Sequence, residues 1–160
     1  MKKLSLLIVI IAFSLAFGSL AHANKIIKVK GISALDGDTF TILEGKSKKK
    51  VSLFGVDAPE KGQDYYAQAK KFTDKMIKGK KLTIEYQKKG PKGEIIGIVK
   101  VGDKNLGREL VVKGMAWYNK KQDPKNKKMA ELMAAAKKAK RGLWKGPMAP
   151  WDYRAKIFKK

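Results

Sequence analysis

The 160-residue chain contains no cysteine, a single histidine and only three arginines (Arg108, Arg141 and Arg154), although its formal net charge is +23. Without cysteine it has neither a disulfide nor a thiol nucleophile. The one histidine, His22, lies in an N-terminal stretch that reads as a leader. Beyond it no imidazole remains for a Ser-His-Asp site, a histidine general base, or a zinc site of the common nitrogen or sulfur type. Any metal must be held by oxygen, which favours calcium, magnesium or manganese. The scarcity of arginine means that anions are attracted mainly by lysine point charges, not by planar forks suited to bidentate phosphate binding.

Long apolar runs are also missing, except at the start. Lys2 and Lys3 precede an apolar stretch from Leu4 to about Leu20, followed by Ala21-His22-Ala23. A charged start, a hydrophobic stretch and an Ala-x-Ala site read as a secretory signal peptide, residues 1–23. The alternative is a retained membrane anchor, since the run is near the length needed to span a bilayer. The expectation is one exported domain, residues 24–160, periplasmic or secreted, with no stable membrane association after cleavage. Nothing in the sequence requires more than a monomer.

Thirty-seven basic residues face fourteen acidic ones. Such an excess concentrates polyanions at the surface, so nucleic acid, anionic polysaccharide or an anionic membrane are the natural partners. The plainer alternative is a lysine-rich surface that keeps the protein soluble.

Strand patterns come first along the chain, at Ile26 to Ile32, Thr39 to Leu43 and Val51 to Val56. Asp36-Gly37 is a hairpin signal, and Glu44-Gly45-Lys46-Ser47 with Lys48, Lys49 and Lys50 reads as a solvated connection. A helix is predicted from Asp64 to Lys78, with Gly79 as its stop. Strands follow at Leu82 to Gln87 and Ile95 to Val101. A short helix from about Leu106 to Lys113 has Asn105 as N-cap, and a last helix has Asp123 as cap and Pro124 in its first turn. The fold class is α+β, mainly β. Five short strands with a helix between the third and fourth match a small Greek-key barrel with about three helices.

Four of the fourteen acids sit in two tetrapeptides, Asp36-Gly37-Asp38-Thr39 and Asp57-Ala58-Pro59-Glu60. Asp-Gly-Asp alone is usually a turn, and Ala-Pro is ordinary loop punctuation. Further separated motifs join them in order: Phe54-Gly55-Val56 ahead of Asp57, Gly114-Met115-Ala116-Trp117, Gly142-Leu143-Trp144, and Pro150-Trp151-Asp152-Tyr153-Arg154. Together they resemble the staphylococcal nuclease (thermonuclease) family over nearly all of residues 24–160.

The resemblance implies an OB-fold barrel and a calcium-dependent nuclease acting on DNA or RNA. It implies calcium held by Asp38, Asp57 and the Ala58 backbone carbonyl, with Glu60 orienting or deprotonating the attacking water. Asp36 and Thr39 are expected to shape the turn and hydrogen-bond the ligands. Lys50, Lys92, Tyr118 and Lys120 are candidate nucleic-acid contacts, with Tyr118 alternatively a partly buried surface aromatic. Trp117, Trp144 and Trp151 read as packing residues.

The chain also departs from the family pattern. Active members carry an arginine five residues before the second-motif aspartate and another opening the fifth strand. Those positions hold Ser52 and about Glu94 here, and no arginine occurs between Asn24 and Gly107. Glu94 either adds a carboxylate toward the metal or points to solvent. The alternative function is a catalytically impaired nucleic-acid or polyanion binding protein on the same fold.

Overall fold

The computed structural model describes residues 25–146 and 148–157. The expected signal peptide, residues 1–23, lies outside them. Among the described residues no helix is long and apolar enough to cross a membrane.

The element order is β1 (Ile26–Ala34), β2 (Thr39–Glu44), β3 (Ser47–Leu53), β4 (Val56–Asp57), α1 (Tyr66–Ile77), β5 (Lys81–Lys89), β6 (Ile95–Val101), β7 (Lys104–Asn105), α2 (Leu106–Val112), β8 (Trp117–Tyr118), α3 (Lys127–Lys138) and α4 (Pro150–Ile157). A 3-10 turn, Gly142–Lys145, separates the last two helices. The main sheet runs β3-β2-β1-β5-β6-β7, and a parallel pairing of β3 with β6 closes it into a five-strand barrel. This is the expected α+β OB-fold architecture.

Alternation drives the closure. On β2 Phe40 and Ile42 are buried while Thr39, Thr41 and Leu43 are not, as a strand with one face on a core requires. Phe40, Ile42, Val51, Leu82, Ile84 and Val99 fill the barrel, and Leu106, Leu110 and Val111 of α2 plug against it. Each such side chain contributes about 1.5–3 kcal/mol by leaving water.

Several boundaries differ from the sequence reading. The lysine run is not a loose connection: Lys48, Lys49 and Lys50 belong to β3, paired with Leu43, Ile42 and Thr41. Their side chains face solvent, so apolar alternation gives no sign of the strand there. The predicted strand to Val56 breaks at Phe54-Gly55, and β4 pairs instead with β8. The cap of α3 is Asn126, whose side chain accepts from the Met129 amide at 3.1 Å. Asp123 accepts from the Asn126 side chain at 2.8 Å, one step back from the role expected of it. Asn105 caps α2 as expected, accepting from the Arg108 amide at 3.0 Å. A fourth helix, α4, exceeds the expected three.

Helix α1 holds the turn between β1 and β2 from beneath. Thr73 Oγ1 donates to the Gly37 carbonyl at 2.6 Å, and Asp74 Oδ1 accepts from the Ala34 amide at 2.9 Å. A Cβ on Gly37 would lie 2.6 Å from the Ala58 Cβ and 2.8 Å from the Ala69 Cβ. The missing side chain is what lets the two acidic segments touch. Gly37→Ala is therefore expected to destabilise the fold by about 1–3 kcal/mol through overpacking. Urea unfolding checks this, and an unchanged midpoint would show that the turn yields freely.

Candidate active site

The first acidic segment is a turn tied to its own side chain. Asp36 Oδ1 accepts from the amides of Asp38 at 3.0 Å and Thr39 at 2.6 Å, an arrangement that favours Asp at such a position. The turn aims Asp38 at the second segment. Asp38 Oδ2 accepts from the Ala58 amide at 2.6 Å, and Oδ1 accepts from Thr39 Oγ1 at 3.0 Å. Asp36 thus shapes the turn, and Thr39 bonds the Asp38 carboxylate.

The second segment is placed by the β4–β8 ribbon, in which Asp57 pairs with Trp117. Asp57 is buried and Glu60 is half-buried. Gln63 orders the start of the loop after Glu60: its Oε1 accepts from the Glu60 amide at 2.6 Å, and its amide donates to the Glu60 carbonyl at 2.9 Å.

Sequence reasoning missed one member of this site. Arg154 of α4 reaches in from the far end of the chain. Its Nη2 lies 2.7 Å from Asp57 Oδ2, its Nη1 lies 3.3 Å from Asp57 Oδ1, and Nη1 also pairs with Glu60 Oε1. The available signal was arginine's rarity, since one of only three falls in the Pro150–Arg154 motif.

Electrostatics sets Asp38 apart. Burial, then the charge of Asp36, hold its carboxyl well above the usual carboxylate range, with a smaller push from Asp57 and opposition from the Ala58 amide. Bringing a charged Asp38 to this place costs free energy that an added cation would offset. Among the described residues, no group of three or more His, Cys, Asp or Glu side chains is arranged to hold a metal ion. Glu60 is turned to Arg154, leaving Asp38 and Asp57 as the two carboxylates of the motifs that could share an ion. That pair is an all-oxygen donor set, and Arg154 already serves one of its members as a counter-cation. These residues fit a hard divalent ion, provided Arg154 gives up Asp57.

The two positions at which the resemblance led to an expected arginine have different surroundings. Ser52 Oγ lies 3.2 Å from Thr39 Oγ1, one hydrogen bond from Asp38, so it faces the acidic site with a side chain too short to enter it. Glu94 neither joins the acids nor stands free in solvent. Its carboxylate folds over its own turn, Oε2 accepting from the Lys92 amide at 2.9 Å beside Gly90.

Of the candidate nucleic-acid contacts, Lys50 and Lys92 are exposed on β3 and on the β5–β6 turn, and Lys120 is exposed just after β8. Tyr118 is buried, and its hydroxyl donates to the Asp123 carbonyl. Its ring belongs to the core and is closed to base stacking, which corrects its assignment as a nucleic-acid contact. Trp117 is buried with Trp144 and Trp151 edge-on to it, each at 6.2 Å between ring centroids. A small cleft lined by Phe54, Arg108, Asp123 and Asn126 touches none of Asp36, Asp38, Asp57 and Glu60.

A closed OB barrel whose two acidic segments are joined by the Asp38–Ala58 hydrogen bond defines the class of protein. Residues 50–146 match the model of the staphylococcal nuclease homologue family. Over 130 residues the chain is 33% identical to an uncharacterized endonuclease of Escherichia coli, covering 77% of this chain and 82% of that protein. It is 27% identical over 135 residues to a micrococcal nuclease of Shigella flexneri, covering 77% and 78%. It is also similar to a probable staphylococcal-like nuclease of Oryza sativa subsp. japonica, 28% identical over 109 residues, covering 67% of this chain and 33% of that protein. The chain belongs to the staphylococcal nuclease homologue family.

The Asp38 environment generates a stability prediction. Its folded pKa is raised, so the native state binds the proton more tightly than the unfolded chain, and stability is lost as pH rises through the interval between the two values. Asp38→Asn removes this penalty while keeping an oxygen acceptor for the Ala58 amide. With a chelator at pH 7 the variant is expected to melt above the parent. The gap should close below about pH 4, where the carboxyl is protonated in both states. A lower melting temperature at pH 7 would contradict the assignment.

Proposed function

We propose that this protein is an exported calcium-dependent nuclease that hydrolyses phosphodiester bonds of DNA or RNA. The observation that carries the reading is that Asp38 is bonded to the amide of Ala58, the residue after Asp57, and that Arg154 ties Asp57 to Glu60. Family membership and the nuclease names of its relatives support it. Export rests on the N-terminal pattern of Lys2, Lys3, the apolar run and Ala21-His22-Ala23.

Asp38, Asp57 and the Ala58 carbonyl would hold the ion. When bound, calcium supplies charge neutralisation and an anchoring point for a phosphodiester oxygen. The chain's own residues do the rest. Thr39 and the Ala58 amide fix the Asp38 carboxylate by two hydrogen bonds, so little reorganisation is needed when charge develops nearby. Glu60 takes the proton of a water attacking phosphorus as the ester P–O bond breaks, and the departing oxygen is protonated from solvent. Exposed lysines, Lys50, Lys92 and Lys120 among them, draw the polyanion in.

The Ser52 and Glu94 environments favour a second reading, a nucleic-acid or polyanion binding protein with little turnover. One missing donor in such a site costs about 10² to 10³ in rate. Incubating single-stranded DNA and RNA with the protein, in millimolar calcium or a chelator, separates the two. The nuclease reading expects cleavage that needs calcium and is abolished by Glu60→Gln. Tight, salt-sensitive binding without any cleavage supports the second. Ser52 faces the acidic site, so Ser52→Arg is expected to raise the cleavage rate by roughly 10-fold or more; an unchanged rate would show that this position no longer serves the site.

A further inference from the structure

We infer that Arg154 is the phosphate-binding guanidinium of this site, delivered by α4 in place of the two arginines absent at Ser52 and Glu94. The inference rests on the nuclease reading and adds a residue to it.

The first support is chemical. The guanidinium makes a two-pronged pair with Asp57, Nη2 at 2.7 Å and Nη1 at 3.3 Å, and holds Glu60 as well. A divalent ion held by Asp57 would repel a guanidinium on the same carboxylate and so would release the fork from Asp57. The fork stays beside Glu60, next to the reacting water. A phosphodiester there offers two unesterified oxygens in the bidentate geometry that the Asp57 carboxylate now occupies. Asp57 thus marks, in this structure, the kind of anion Arg154 is shaped to receive.

The second support is that α4 is seated by contacts on both sides of the acids. Trp151 packs edge-on to Trp117, the residue paired with Asp57 on the β4–β8 ribbon. Gln63, which orders the Glu60 loop, donates from Nε2 to the Met148 carbonyl at 2.9 Å. Gly62 has φ +93°, and a Cβ there would lie 2.8 Å from the Tyr153 hydroxyl. The loop after Glu60 is therefore shaped to receive α4. Trp151 and Ile157 remain 42% and 45% exposed, so apolar burial is only part of what seats the helix, and the polar contacts of Gln63 and Arg154 supply the rest.

The third support is elimination among the described residues. Arg141 Nη1 donates to the Val112 carbonyl, and Arg108 lines the separate cleft beside Phe54 and Asn126. Neither is at the acids. The Ser52 hydroxyl has no charge, and Glu94 is tied to its own turn.

The competing role is a latch: Arg154 would hold the acids together only until calcium enters, and would otherwise obstruct it. Arg154→Ala and Arg154→Lys separate the two in the full-length chain, with calcium affinity read from the calcium dependence of melting. The clamp predicts that Arg154→Ala lowers kcat/KM on single-stranded DNA by about 10² to 10³ while calcium binds at least as tightly as in the parent. Arg154→Lys should recover only part of the loss, since lysine lacks the fork. Trp151→Ala, which unseats α4 but keeps the arginine, should fall between.

A second readout does not need turnover. In a Glu60→Gln background with calcium present, adding Arg154→Ala is expected to weaken single-stranded DNA binding about 10-fold or more, a larger loss than from replacing exposed Lys92. Arg154→Ala cleaving as fast as the parent or faster, or binding DNA unchanged in that background, overturns the clamp and leaves the latch. If the parent itself does not cleave, the nuclease reading fails, and the binding comparison alone decides the role of Arg154.

Discussion

Everything at this site depends on two loops touching at Gly37 and Ala58. Asp38 belongs to a hairpin turn and Asp57 to a two-residue strand, and neither position alone makes a site. The Ala58 amide donates to Asp38 at 2.6 Å, and the bare α-carbon of Gly37 leaves room for that approach. Helix α1 presses the turn into place through Thr73, and the β4–β8 ribbon fixes the other side through the pairing of Asp57 with Trp117. The barrel core holds these anchors rigid, because β2 and β3 bury Phe40, Ile42 and Val51 in the same body that carries both loops. The two acidic segments are therefore held together by the fold itself.

Holding acids together is costly even in a chain with a net charge of +23. The lysines are spread over the surface, where water screens them, while Asp38 is enclosed and feels Asp36 and Asp57 at short range. Distant charge gathers a polyanion but does little for a buried carboxyl. Local cations must do that, and for Asp57 and Glu60 the structure supplies one in Arg154. A protein with so few arginines has put one of them against two of its clustered acids.

Much of the barrel was legible in the sequence because strand alternation and turn residues are local. The strands around Phe40, Leu82 and Ile96, the Asn105 cap and the Gly79 stop all follow from neighbours within a few positions. Legibility failed where the determining partner is distant or the pattern is masked by charge. Lys48 to Lys50 form a strand with no apolar face to announce it, because β2 supplies their pairing. Asp123 has the chemistry of a cap but is engaged by Asn126, which takes the position itself. Tyr118 reads equally as a base contact or a half-buried aromatic, and only its two-residue strand, paired with distant Val56, carries it into the core. Asp38, Asp57 and Glu60 were readable from their motifs. Arg154 was not, since it pairs across 97 residues with Asp57 and 94 with Glu60, and no local rule spans that distance.

The most direct test of this account is a crystal structure of the Glu60→Gln protein with calcium and a short single-stranded DNA. The account predicts one ion with oxygens of both Asp38 and Asp57 at about 2.3–2.6 Å, and a phosphate on the Arg154 fork in place of Asp57. An ion bound away from the Asp38–Asp57 pair, or an Asp38 that keeps only its bonds to Thr39 and Ala58 at saturating calcium, would contradict it.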